Sequence, residues 1–478
     1  MIFIRSVFEK RPLRSGESPQ SFFEHVRGKY SFLLESGRMV MKDQKSEFGG
    51  RGVGERYSYV GWDPFMVLYL EKGAVYLEKL KDFARWKKSP IRQILDGDAM
   101  KILRDIFSEF SYRGDFWFPF CGGAAGFITY DFGCALQNVE QGVFDDIALP
   151  DYCLMFVDKL VVVDHERGEV YLTAFAQTEV EALAKLAQIK EDLKRPLVIR
   201  GKGEIGKIES NLSAKVYREK IMKIKEYLRQ GQTYQVNFSQ RFSADSSLDG
   251  WAVFKALFKK SPAPFSCYFD YGDFEIVSAS PELLLRKRKD HLETWPIKGT
   301  VARGANAREE ARFVKRLLSS EKDEAELAMI VDLARNDLGR VCEAGSITVE
   351  SHRELMKLSH VIHTFSRVSG KMARDKDVFD AIQSVFPGGS ITGCPKKRTM
   401  EIIDKLEDFK RGIYTGSAGY ISFSGDADLN ILIRSILLKD NKIYFQAGGG
   451  IVIDSDAGKE YEESFNKARG ILETLADG

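Results

Sequence analysis

Two stretches of the sequence place acids where they could hold a hard cation. In SSEKDEAELAMIVDLARNDLGRV, Ser320 followed by Asp323 resembles a capping box and predicts a helix start. Leu327, Ile330, Val331 and Ala334 then recur at helical spacing as an apolar stripe. Asp323 and Glu326 are three residues apart, and Glu326 lies four before Ile330, so the two carboxylates run toward the buried face. Nearer the C-terminus, DSDAGKEYEESFNKARGILETL predicts a second helix, with Tyr461, Phe465, Ala468, Leu472 and Leu475 as its core stripe. Glu460, Glu463 and Lys467 form a line beside that stripe at spacings of three and four. Each line has a plain reading. The first is a solvated acidic edge, because exposed acids are the rule. The second is an intrahelical ion pair worth about 0.2–0.5 kcal/mol. The chemical reading joins them: two helices present carboxylates to one magnesium-like ion, which binds through one or two protein carboxylates plus the substrate's anion. Spacing alone leaves both readings open.

Three further segments carry candidate chemistry. Gly448, Gly449 and Gly450 follow the strand-like KIYFQA. Glycine lets backbone N–H groups approach an anion, although three glycines by themselves favour an ordinary tight turn. PGGSITGCPKKR is Gly-rich with Lys396, Lys397 and Arg398 behind it, but lacks the Gly-Lys-Ser/Thr ending of a phosphate-binding loop. Lys298 in WPIKGTVARG sits in a short, mostly uncharged run. A desolvated lysine loses its proton more easily and can act as a nucleophile, whereas a lone lysine is usually just exposed.

The elements that must position these residues fall into two textures. Residues 1 to about 190 carry short apolar runs broken by Gly and charge, such as YSYVGWDPFMVLYLEKGAVYLEKL, and read as strands and turns. TEVEALAKLAQIKEDLK reads as a surface helix. RPLVIRGKGEIGKIESNLS is the linker candidate, with a boundary near residue 205: a region 1–205 and a region 206–478. In the second region, KVYREKIMKIKEYLRQG predicts an amphipathic helix ended by Gly231, and TYQVNFSQRFSA alternates like a strand. FSCYFDYGDFEIVSAS predicts a hairpin turning at Tyr271–Asp273. The stretch from Gly419 to Asp454 predicts a meander with turns at Gly425-Asp426 and Asp440-Asn441. Short turns between such runs imply antiparallel pairing, so the expected class is α+β.

Composition narrows the function classes. The chain has 478 residues, 71 basic against 69 acidic, and a formal charge of +2. That balance argues against a protein built around nucleic acid. No run approaches the ~20 apolar residues of a membrane span, and MIFIRSVFEKRPLRSG makes a poor secretory signal. Six scattered cysteines without a Cys-x-x-Cys pair, and six histidines without zinc-motif spacing, argue against disulfides and structural zinc and point to the cytoplasm.

Six strings occur in order: PIKGTVARG, AELAMIVDLARNDLGRV, SHVIHTFSRVSG, FPGGSITGCPKKRTMEII, GSAGYISF and AGGGIVIDSDAGKEYEESFNKA. Together they closely resemble the chorismate-utilising enzymes, a family that includes the anthranilate, aminodeoxychorismate, isochorismate and salicylate synthases. The match covers about residues 210–472, and SFLLES and RYSYVGWDPF resemble the N-terminal region of the first two members. The resemblance implies two large, mainly antiparallel sheets packed as a sandwich with helices outside. It assigns Glu326 and Glu463 to magnesium, with Asp323 and Glu460 as acids acting through water; Asp323 departs from the glutamate expected there. It assigns Tyr414 and Arg434 to a substrate carboxylate, helped by backbone donors of Gly448–Gly450; Arg suits that task because its planar fork matches a carboxylate. Lys467 would face the bound anion, Glu282 would protonate the leaving ring hydroxyl, and His363 and Ser390 would line the same pocket. Cys394 stands where the family usually has alanine.

Two positions then separate members of the family. The water-using synthases carry a lysine where this chain has Gln235, and a neutral amide is no general base, so ammonia is the expected nucleophile. Anthranilate synthases typically read PIAGT and aminodeoxychorismate synthases PIKGT; this chain reads PIKGT, with Lys298 as the expected covalent nucleophile. The expected activity is therefore that of an aminodeoxychorismate synthase large component on the folate branch. Its ammonia would come from a separate glutamine amidotransferase subunit, since no glutaminase-like elbow surrounds any cysteine. Anthranilate synthases are the second reading: Ser36, Pro264 and Phe265 would line a tryptophan pocket of the kind they carry, although such a pocket also fits aminodeoxychorismate synthases and does not decide between the two. A non-catalytic tryptophan-binding or scaffold relative is the third, and the full set of ligand residues speaks against it.

Overall fold

Two large β-sheets organise the chain in the computed structural model, which describes residues 1–37, 56–83, 91–114, 118–198, 201 and 203–476. One sheet has 13 strands and the other 12, and eleven α-helices are found among the described residues. The pairings are antiparallel except Ile2–Pro12 with Phe110–Tyr112. The expected α+β sandwich is the architecture observed.

The sheets form where β-branched and aromatic residues run together. Leu160–Val163 is fully buried within the strand Lys159–Asp164, a central position with neighbours on both edges. Between the sheets, aromatic rings interlock: Tyr59 meets Tyr420 at 5.4 Å and Phe127 meets Tyr271 at 5.4 Å, each pair joining one sheet to the other. Such edge-on pairs add about 0.5–1.5 kcal/mol beyond the area they bury.

The predicted helices and turns occur close to their expected bounds. They include the helices Glu179–Asp192 and Ala214–Arg229 and the hairpin Phe265–Asp270 with Phe274–Ser280. The expected meander is instead two hairpins, Ser417–Ser422 with Ala427–Asn430 in the 12-stranded sheet and Ser435–Lys439 with Lys442–Ile451 in the 13-stranded one, because the chain crosses between the sheets after Asn430. Asp440 and Asn441 both take positive φ, as a two-residue hairpin turn requires. Strands from both sides of residue 205 are hydrogen-bonded neighbours in both sheets. Phe265–Asp270 pairs with Ser31–Glu35, and Ser417–Ser422 pairs with Gly123–Ile128. The linker candidate falls partly on residues 199, 200 and 202, which lie outside the described residues.

Candidate active site

The acidic helices are present. Helix Glu321–Gly339 starts at Ser320, whose hydroxyl accepts from the Asp323 N–H at 3.2 Å. Helix Ala457–Ala476 packs on strand Lys442–Ile451. Leu327, Ile330 and Val331 on the first helix and Ala468 and Leu475 on the second are buried as their stripes predict.

Strand Ile297–Ala302 carries Lys298 and pairs with strand Val361–Lys371, with an irregularity between Lys298 and Thr300. Gly299, at φ +76°, sits at that irregularity. A side chain there would stand 2.9 Å from Thr364 Oγ1, 3.0 Å from Leu317 and 3.3 Å from Asp323, so only glycine allows this close approach of helix to strand. The half-buried Lys298 side chain then reaches Gly450: a methyl on Gly450 would lie 3.1 Å from both Lys298 Nζ and the Gln235 amide. Burial above all lowers the pKa of this amine. Lys467 works in the same direction, while Glu326, Glu282 and Glu463 oppose it. The three strand residues Gln235, Lys298 and Gly450 thus meet with the acids around them.

Gln235 is fully buried, and neither its carbonyl oxygen nor its amide nitrogen has a hydrogen-bond partner. Such a group is costly unless a ligand completes it.

Gly448, Gly449 and Gly450 are strand residues paired with Ser239, Phe238 and Asn237, which corrects the tight-turn reading. A side chain on Gly448 would collide with the Phe238 backbone. One on Gly449 would stand 3.1 Å from Glu460 Oε2, 3.5 Å from Lys467 Nζ and 3.6 Å from Glu463 Oε1. The missing side chains leave room for charged groups to converge on the strand.

Glu463 pairs with Lys467 at 2.8 Å, and Lys467 also donates to the Gly448 carbonyl at 3.0 Å. The ammonium of Lys467 holds the Glu463 carboxyl below its usual range. Burial, reinforced by Glu463, lifts that of Glu460, although the Ser455 hydroxyl donates to it at 2.6 Å. Lys322, 3.8 Å from Glu326, also acts on Glu460 and Glu463. The Lys322 ammonium is thus paired with Glu326 and its charge reaches the acids of the second helix. Among the described residues, the group of three ligand side chains that closes within 4.8 Å is a different one, His291, Glu293 and Glu350.

Glu282 precedes strand Leu283–Arg288 and is 3% exposed. Burial pushes its carboxyl up to about 7, against hydrogen bonds from Ser390 and, at 3.3 Å, from the Ile297 N–H. It can hold a proton near neutral pH and give it away. His363 is buried, with Nδ1 2.8 Å from Thr300 Oγ1 and Nε2 2.8 Å from Arg434 Nη2. Burial and the Arg434 cation drive its pKa well below the ordinary histidine value. Arg434 takes φ +52°, and burial lowers its guanidinium to about 10. Tyr414 is buried, with the Arg411 guanidinium 5.5 Å from its ring centre, and its phenol is raised by burial.

Ser36, Pro264 and Phe265 line one cavity of about 50 Å³, together with Glu35, Tyr57, Asp428 and Asn430. Glu35 was not picked out by sequence reasoning. It is buried, its carboxyl is pushed up to about 8 by burial, and the Gln20 amide donates to it at 3.0 Å. Its signal was available: it is the one charged residue in SFLLES. Arg411 was missed too. It is buried and donates to Glu407 at 2.7 and 2.8 Å, to the Asn237 carbonyl at 2.7 Å and to the Ile391 carbonyl at 3.1 Å. It thereby ties the Tyr414 loop to the Gln235 strand.

Residues 57–473 match the model of the chorismate binding enzyme family. This chain belongs to the chorismate-binding enzymes. Among curated relatives, anthranilate synthase component 1 of Acetivibrio thermocellus is 35% identical over 96% of this chain and 93% of its own length. Aminodeoxychorismate synthase component 1 of Bacillus subtilis (strain 168) is 34% identical over 98% and 97%. The solved anthranilate synthase component I of Streptococcus pneumoniae TIGR4 superposes with a TM-score of 0.77 at 30% identity, covering 91% of this chain and 95% of that one. The chain is thus a chorismate-utilising enzyme of the anthranilate synthase and aminodeoxychorismate synthase type, and its relatives divide between the two names. No helix among the described residues of this chorismate-binding enzyme is long and apolar enough to cross a membrane.

Proposed function

We propose that this protein is an aminodeoxychorismate synthase component, which joins chorismate and ammonia to give 4-amino-4-deoxychorismate and water. The observation that carries the reading is the Lys298 amine, lowered in pKa by burial and set over Gly450 beside Gln235, Glu326 and Glu282. An amine held neutral in that place can add to ring carbon 2. As it adds, the bond from carbon 4 to its hydroxyl breaks, and Glu282 gives its proton so that the hydroxyl leaves as water. Ammonia then adds at carbon 4, and the carbon–nitrogen bond to Lys298 breaks. Lys298 departs as a neutral amine and the product leaves as an ammonium. Two displacements put nitrogen on carbon 4; without the lysine, ammonia adds at carbon 2 and loss of pyruvate gives anthranilate.

The other side chains bind and orient. Arg434, held by His363, and Tyr414 take a substrate carboxylate, and Ser390 donates to Glu282. The Gln235 amide, buried with no partner inside the protein, would take the incoming nitrogen. The carboxylates of Glu326 and Glu463, with Asp323 and Glu460 on the same two helices, are the hard oxygen donors that magnesium takes. A magnesium ion held there would neutralise the ring carboxylate and stabilise the charge that grows as the hydroxyl departs. Ammonia is supplied by a separate glutamine amidotransferase subunit, and the protein works in the cytoplasm.

The test is incubation of the protein with chorismate, magnesium and an ammonium salt, with products read by mass and fluorescence. Aminodeoxychorismate is expected, and Lys298→Ala should lose most of it and release some anthranilate. Anthranilate as the main product of the unaltered protein would make it an anthranilate synthase component. The cavity at Ser36, Pro264 and Phe265, where Glu35 would meet the ammonium of a bound tryptophan, does not by itself decide between the two readings.

A further inference from the structure

Glu282 lines a second cavity, of about 20 Å³, together with Thr294, Ser390 and Asp337. A cavity of that size, walled by several polar groups, holds one water. Asp337 lies in the last turn of helix Glu321–Gly339 and is buried. Its Oδ2 accepts from Lys396 Nζ at 2.7 Å, and the same ammonium donates to the Val385 carbonyl at 3.0 Å. Its Oδ1 has no hydrogen-bond partner. Arg340 Nη2 stands 3.9 Å from that oxygen, on a side chain about half exposed. The chemistry proposed above uses neither Asp337 nor Lys396.

Glu282 has a need that those groups could meet. It loses a proton to the leaving hydroxyl in every turnover and is then a carboxylate sealed from solvent. On the aminodeoxychorismate route ammonia enters neutral and the product leaves as an ammonium, so one proton must come in from solvent each time. We propose that Asp337 returns this proton to Glu282 through a water in the cavity they share. Oδ1 is itself buried, and Asp337 takes its proton there from solvent that enters as the half-exposed Arg340 side chain swings aside. It passes that proton to the cavity water, which passes one of its own to the Glu282 carboxylate. Each O–H bond broken is matched by one formed, and no electrons are transferred. Burial raises the pKa of both acids, Asp337 against the opposing pull of Lys396 and Arg340, and Glu282 against that of Lys298. Burial, and after it the Asp337 charge, also raises the Cys394 thiol. The inference rests on Glu282 being the proton donor.

The test compares the first turnover with the steady state, using chorismate, magnesium and an ammonium salt in a rapid-quench experiment. In Asp337→Asn the first turnover should stay within about two-fold of the unaltered protein. The steady-state rate should fall at least ten-fold, and its solvent deuterium isotope effect should rise. An unchanged steady state, or a first turnover slowed as much as the steady state, overturns the relay. If Asp337→Asn does not fold because Lys396 has lost its partner, Ala334→Val decides, since Ala334 lines the cavity and a larger side chain fills it while both acids remain. It should show the same split between first turnover and steady state, and its absence overturns the relay. Failure of the underlying reading looks different: Glu282→Gln would then keep its first turnover, whatever Asp337 does.

Discussion

Arg434 Nη2 lies 2.8 Å from His363 Nε2, so the imidazole nitrogen accepts a hydrogen bond from a guanidinium. Adding a proton to that ring would set two donors face to face beside a fixed cation. His363 therefore stays neutral, with its other nitrogen, Nδ1, carrying the hydrogen toward Thr300. Its part is to aim Arg434. His363→Asn should raise the KM for chorismate about ten-fold or more and lower kcat less. The pH profile of kcat/KM should contain no limb that disappears with the histidine. Steady-state kinetics across pH 6–9 check both points.

The burial of Glu282 predicts a trade between stability and function. Its folded-state pKa, about 7, lies above the ordinary 4.5. Below pH 4.5 the group is protonated folded and unfolded, and it costs nothing. As pH rises from 4.5 to 7, the unfolded chain ionises first, and the folded state loses on the order of 3 kcal/mol. Glu282→Gln should therefore be more stable than the unaltered protein above pH 7 and similar at pH 4.5, by denaturant unfolding. The same change should lower activity at least a hundred-fold.

A covalent route leaves a trace on Lys298. With chorismate and magnesium but no ammonia, rapidly quenched protein should carry an added mass of chorismate less water on the peptide containing Lys298. Lys298→Met should carry none. Absence of any adduct on the unaltered protein, under conditions where ammonia later gives product, would remove the lysine from the covalent role.

Gly299→Ala would force a side chain into a positive-φ position with atoms 2.9–3.3 Å away. The backbone term alone costs about 1–2 kcal/mol. Because the strain falls beside Lys298, the lysine adduct should be lost in greater proportion than thermal stability, which a melt and the mass assay together resolve.

Glu326→Gln and Glu463→Gln should each raise the magnesium needed for half-maximal activity at least ten-fold. They should also abolish any magnesium-dependent gain in melting temperature seen without substrate, a readout independent of turnover. Glu463→Gln also removes the partner of Lys467, so its effect on chorismate KM should be the larger.

Much of this architecture was legible in the residue order because it rests on local physics. Apolar spacing marked the helices Glu321–Gly339 and Ala457–Ala476, Asp440-Asn441 marked a hairpin, and short turns required antiparallel pairing. Glu282, Lys298, Glu326 and Glu463 could be picked out because their types stand inside recognisable strings. Taken by themselves, Gly448–Gly450 favoured a turn, since glycine in a strand has no local signature, and the structure makes them strand residues. Their purpose is the room they leave for side chains from a helix and from another sheet. Asp337 and Arg411 were silent for a related reason: a charge looks solvated until distant segments close over it. Residue order alone settled the kinds of element and the candidate chemistry. The convergence of Lys298, Gln235 and Gly450, the protonation of Glu282 and His363, and the cavity between Glu282 and Asp337 depend on burial and distance. Those arise only when strands far apart in the chain become neighbours.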